Sequence, residues 1–157
     1  MSIQNYQKAV SIIEANKSKG FFAGPRTEEL ISLAEETLGL KFIGAYREYL
    51  KNYGAGNFGA QEIYGIINDD FENSSVPDGI WYTLTERNEI GLPNNFLIIY
   101  DTGSDELYCL DFQRLNSDNE PAVVSFVPGI DLNKQRYELL ANDFGDFLLD
   151  MVNREVQ

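Results

Sequence analysis

No histidine occurs anywhere in the 157 residues, and Cys109 is the only cysteine. The first absence removes Ser-His-Asp and Cys-His catalysis, histidine-ligated zinc and the usual general base near neutral pH. The second removes an internal disulfide and any site built from several thiolates. Cys109 lies in Leu107-Tyr108-Cys109-Leu110, which reads as a strand, so it is expected as a small buried hydrophobe rather than a nucleophile. No apolar run approaches the ~20 residues a spanning helix needs. The opening Met1-Ser2-Ile3-Gln4-Asn5-Tyr6 lacks the basic region, apolar core and cleavage site of a secretory signal. The expectation is a cytoplasmic chain, residues 1–157 as one domain, with no membrane association, no metal and no cofactor.

Basic residues are scarce as well: 12 Lys and Arg stand against 25 Asp and Glu, a net charge of −13. The imbalance is local. Residues 58–121 hold 13 acids and 2 bases, residues 1–57 hold 6 and 7, and residues 122–157 hold 6 and 3, which together make 25 and 12. Such a field repels phosphate backbones and anionic lipid, which argues against direct nucleic-acid binding, and it steers a basic partner toward the middle of the chain. An acidic surface also serves plain solubility.

What is present is a globular pattern, 43% hydrophobic and 13% aromatic. Ile3, Tyr6, Val10 and Ile13 mark one face of a helix over 2–16, and residues 17–25 break it. Thr27 is placed to cap a second helix, with Glu28 and Glu29 in its first turn, a stripe through Leu30, Ile31, Ala34 and Leu38, and Gly39 as its stop. Tyr46, Tyr49, Leu50 and Tyr53 predict a third helix over 45–53, before the flexible Gly54-Ala55-Gly56. The period then shifts toward two. Strands are expected at 58–60 and 62–67, a loop at 68–79, a short helix at 80–88, a hairpin pairing 95–100 with 106–112, a strand at 122–127 and a closing helix over 137–152. The order implies an α+β fold: a mainly antiparallel sheet flanked by N-terminal helices and a C-terminal helix.

Several segments resemble the SUKH superfamily, the Smi/Knr-like proteins. Residues Thr27-Glu28-Glu29-Leu30-Ile31 through Gly39-Leu40 are similar to its opening helix, and Ala45-Tyr46-Arg47-Glu48-Tyr49-Leu50 with Asn52-Tyr53-Gly54-Ala55-Gly56 to its Y-x-x-x-L…N-G-G segment. Leu92-Pro93 through Tyr100-Asp101-Thr102-Gly103 and on to Asp111 resembles the central hairpin, and Phe144-Gly145-Asp146-Phe147-Leu148 the closing helix. The likeness spans residues 25–151 and is nearest to the YobK-like immunity branch paired with LXG-type toxins. Two departures are local: Phe42-Ile43-Gly44 lacks the usual proline, and Tyr53 stands where a second glycine is common. The resemblance implies a non-catalytic immunity protein that binds and neutralises a cognate toxin, often a nuclease.

The residues themselves offer few chemical sites. Asp101, Asp105 and Glu106 cluster in the turn Asp101-Thr102-Gly103-Ser104-Asp105-Glu106, but the spacing of a calcium loop is missing and Asp with Gly is ordinary turn chemistry. Gly54, Gly56 and Gly59 lack the following Lys-Ser/Thr of a phosphate loop. Asp101 and Asp111 are a conceivable pair for acid/base hydrolysis only if they share a cleft. The acidic stretch Asp69, Asp70, Phe71 and Glu72 combines carboxylates with an aromatic, and Trp81 is either a core plug or an exposed anchor. Asp69, Asp70, Phe71, Glu72, Trp81, Asp101, Asp105 and Glu106 are thus the expected contacts for a basic toxin domain. The alternative is a regulatory scaffold that binds a partner without inhibiting a toxin. Association of two copies through the aromatic-rich helices stays open.

Overall fold

The computed structural model describes residues 2–157. Helix α1 (Ser2–Ala15) buries Tyr6, Ala9 and Ile13, a stripe rotated from the expected one, so Ile3 points to solvent. A 3-10 turn at Lys17–Lys19 leads into strand β1 (Gly20–Phe22), which falls where the sequence predicted only a break. Its pairing partner is distant. β1 aligns antiparallel with β2 (Gly56–Phe58), with Gly20 opposite Phe58, and β2 turns back into β3 (Gln61–Ile63).

Helix α2 (Glu28–Leu38) forms as its caps dictate: Thr27 Oγ1 accepts the Leu30 N–H at 3.2 Å, and the helix stops at Gly39. Helix α3 (Gly44–Asn52) has no such cap, because Ile43 precedes it. Its first turn is satisfied from a remote loop, where Glu120 Oε1 accepts the Ala45 N–H at 2.8 Å and the Ser2 hydroxyl at 3.1 Å. Gly44 lies at φ 66°, and a side chain there would run into the Glu120 carboxylate.

Helix α4 (Gly79–Ile90) starts at Asp78, whose Oδ1 accepts the N–H groups of Ile80 and Trp81 at 3.0 and 3.1 Å. Strands β4 (Phe96–Asp101), β5 (Leu107–Leu115), β6 (Pro121–Phe126) and β7 (Leu139–Ala141) follow as a second antiparallel sheet in that order. The two sheets meet where the Tyr64 N–H donates to the Ile99 carbonyl at 2.9 Å. Beyond Ile63 the expected strand over 62–67 dissolves, because Tyr64, Gly65 and Ile66 donate to Ile99, Pro77 and Gly54 in turn and no one ladder forms.

The closing helix is shorter than its apolar pattern. Residues 139–141 pair with β6, Val123 opposite Ala141 and Val124 opposite Leu139, and Asp143 then caps α5 (Phe144–Val156) by accepting the Asp146 N–H at 2.9 Å. Helices α1 and α5 lie so close that a side chain at Gly145 would meet the Ser2 carbonyl. Among the described residues the fold is α+β, with five α-helices, two antiparallel sheets and the terminal helices packed together.

Both faces of the second sheet are covered. Leu97, Ile99, Leu110 and Val123 point into the large core with α1, α2, α3 and α5, whereas Phe96, Ile98, Cys109, Val124 and Phe126 form a second cluster capped by Tyr82 and Tyr137. The tyrosines of α3 belong to the first core: Tyr46 and Tyr49 are buried and donate their hydroxyls to the carbonyls of Tyr64 and Ile63. That aromatic face is consumed within the chain, leaving no tyrosine surface on α3 for a second copy. Among the described residues no helix is long and apolar enough to cross a membrane.

Candidate partner-binding site

Helix α4 organises the acidic middle of the chain. At 100° per residue, Thr83 faces the core, Trp81, Thr85 and Glu89 face outward, Leu84 and Asn88 lie on one flank, and Tyr82 and Glu86 on the other. The loop bearing Asp69, Asp70 and Glu72 borders the Leu84 flank, and the hairpin turn bearing Asp101, Asp105 and Glu106 borders Tyr82. One helix thus separates the two predicted acidic loops.

The first loop is shaped by its own side chains. Asn68 Oδ1 accepts the Asp70 N–H at 3.0 Å, and Asp70 Oδ1 accepts those of Glu72 and Asn73 at 3.3 and 3.1 Å. Asp70 is therefore occupied in holding the turn, while Asp69 and Glu72 stand exposed. Phe71, read from the sequence as a contact, is only 7% exposed and packs in the main core. It pins the loop from beneath. A polar neighbourhood in the sequence concealed this, since the alternation of one buried ring among carboxylates has no helical or strand period.

Trp81 is half-buried and stacks on Tyr82, ring centres 6.0 Å apart, and Tyr64 meets Tyr82 edge-on at 5.9 Å. In the hairpin turn Asp101 Oδ1 accepts the Gly103 N–H at 2.8 Å and Thr102 Oγ1 donates to the Glu106 carbonyl at 2.8 Å. Asp105 is exposed and Glu106 half-exposed. The sequence reading missed Glu86 and Glu89, which bring two more carboxylates to this side. Burial pushes the Glu86 carboxyl up, and Glu89 beside it adds to the shift. Glu86 lay on the helix expected at 80–88, whereas Glu89 fell one residue past its expected end and joins it only in the observed α4.

The charge on this side is not neutralised internally. Among the described residues the ion pairs join Lys17, Arg47, Lys51 and Arg154 to Glu14, Glu28, Glu35, Glu48 and Asp150, none of which lies in 58–121. The two bases of that segment are turned to carbonyls instead. Arg87 donates to Leu38 and Asn94, both at 2.9 Å, and Arg114 to Tyr137 at 3.1 Å. No cation within 58–121 therefore answers its carboxylates.

The two carboxylates weighed for hydrolysis are held apart. Asp111 sits opposite Phe96 and Asp101 opposite Leu107, so four residues of β5, roughly 13 Å, separate the two positions. That exceeds the ~5–9.5 Å of paired glycosidic carboxylates. Asp111 is also occupied, accepting from Asn95 and the Gln113 N–H at 2.8 and 3.0 Å. Cys109 is fully buried, and burial pushes its thiol far up. Among the described residues no group of three His, Cys, Asp or Glu side chains is placed to hold a metal ion.

A family model described as SUKH_5, SMI1-KNR4 cell-wall, matches residues 1–153. The chain belongs to the SUKH_5 family. The match spans both sheets and nearly all of α5, so the acidic loops of this SUKH_5 chain fall within the matched residues. No curated protein matches the chain.

Proposed function

We propose that this SUKH_5 chain is a cytoplasmic immunity protein that binds and neutralises a basic toxin domain, of the nuclease kind delivered by LXG-type proteins. The observation that carries the reading is the uncompensated acidic side centred on α4. Asp69, Glu72, Glu86, Glu89, Asp105 and Glu106 accept no side-chain hydrogen bond or ion pair among the described residues, so they are free to meet Lys and Arg of a partner. A nuclease must present cations where it grips phosphate, and an acidic surface of this kind covers them without turnover. Family membership supports the class of function, and the toxin type rests on the resemblance of residues 25–151 to the YobK-like branch.

The test is affinity capture from cells that carry the neighbouring genes, followed by co-expression of the captured protein. Rescue of growth by the wild-type chain supports immunity. Capture of an intracellular partner that is harmless on its own points to the regulatory scaffold instead.

A further inference from the structure

Beside α4 the acidic loop and α2 enclose an open groove of about 810 Å³. Its apolar lining comes from Leu33, 41% exposed to solvent, from Leu84 and from the narrow exposed edge of Phe71. Its charged lining is of one sign: Asp69, Asp70, Glu72 and Glu89, with no Lys or Arg. The next depression in size, about 430 Å³, adjoins this groove through Leu33 and Asp69 and differs because Arg26 lines it, donating to the carbonyls of Ala23, Gly24 and Ile67.

We infer that the α2–α4 groove is the anchor point for an amphipathic helix of the partner, which sets one apolar side chain on the Leu33, Phe71 and Leu84 lining and flanks it with Lys or Arg. The inference rests on the proposal that the acidic side meets a basic partner, and it names the element that partner presents. Charge complementarity selects a cationic occupant, and the apolar lining requires that it carry more than charge. The groove is bordered by two helices and a loop, with no strand lining it. An extended peptide therefore finds no backbone ladder to join, whereas a helix needs only side-chain anchors at i, i+3 and i+4. A volume within the ~300–1,000 Å³ typical of ligand clefts accepts a few side chains rather than a whole helix.

The probe is a synthetic helical peptide with Leu at i, i+3, i+4 and i+7 and Lys elsewhere, compared with one in which Gln replaces every Leu. Dissociation constants and amide shifts of isotope-labelled protein are recorded for both. The Leu peptide is expected to bind at least about tenfold more tightly, to shift the amides of Leu33, Thr37, Leu84 and Asn88, and to lose its advantage in Leu33→Gln, an exposed substitution whose fold a thermal melt verifies. Equal binding of the two peptides with salt-sensitive affinity, or shifts centred on the turn at Asp101 to Glu106, overturns the groove while leaving the acidic surface standing. Binding of neither peptide overturns both.

Discussion

Glu120 shows how one side chain ties three parts of the chain together. It receives the Ala45 N–H at the start of α3 and the Ser2 hydroxyl at the start of α1, and it comes from the loop before β6. Glu120→Ala leaves two buried donors without a partner and is expected to cost about 2–6 kcal/mol, given about 1–3 kcal/mol per orphaned buried group. Glu120→Gln keeps an acceptor and is expected to cost less. Urea unfolding of both variants measures this, and equal midpoints for Ala and wild type contradict the role. Nothing in the sequence marked Glu120, because its partners lie 75 and 118 positions away.

At the scale of the element, legibility followed locality. Helix α2 was readable because its cap, acidic first turn, stripe and stop lie within thirteen consecutive residues from Thr27 to Gly39. The hairpin β4–β5 was readable for the same reason, its turn residues lying between two apolar strands. Strands β1 and β7 were not. Each has three residues and exists only through a distant or intervening partner, β2 for one and β6 for the other. The apolar pattern through Leu139 and Leu140 looked helical until sheet pairing claimed it. The candidate site divides likewise: its carboxylates were visible as composition, whereas its groove joins Leu33, Phe71 and Leu84 from three separate elements.

The loop at Asp69 to Glu72 yields an element-scale prediction. Phe71 is buried beneath it, so Phe71→Ala is expected to destabilise by about 3–5 kcal/mol and to weaken partner binding by freeing the carboxylates from their place. Asp78→Ala removes the cap of α4, with an expected cost of about 1–2 kcal/mol. Unfolding curves measured side by side check the order, and a larger loss for Asp78→Ala than for Phe71→Ala contradicts it.

Across the whole molecule, burial raises the carboxyl groups of Glu62, Asp78, Glu86 and Glu120 above their ordinary range. A raised folded-state value means the native form holds the proton more tightly, so this contribution is full below the ordinary value and fades as pH rises through the folded one. Protonation also relieves repulsion within a chain of net charge −13. Glu28 and Glu155 act oppositely, since Arg47 lowers the first and Gln61 the second, and their contribution is lost on acidification below the ordinary range. Stability is therefore expected to peak on the acid side of neutrality. The thermal midpoint at about pH 5 should exceed that at about pH 7.5, and Glu120→Gln should flatten the difference. The reverse order contradicts this assignment.

The central claim is that an uncompensated acidic side around α4 draws in a cationic partner. Stopped-flow association with the captured toxin domain, across a series of salt concentrations, tests it most directly. The account predicts an association rate that falls at least about tenfold from low to high salt, and a much shallower dependence when Asp69→Asn, Glu72→Gln, Asp105→Asn and Glu106→Gln are combined. A rate indifferent to salt, or one left unchanged by the four neutral replacements, would contradict it.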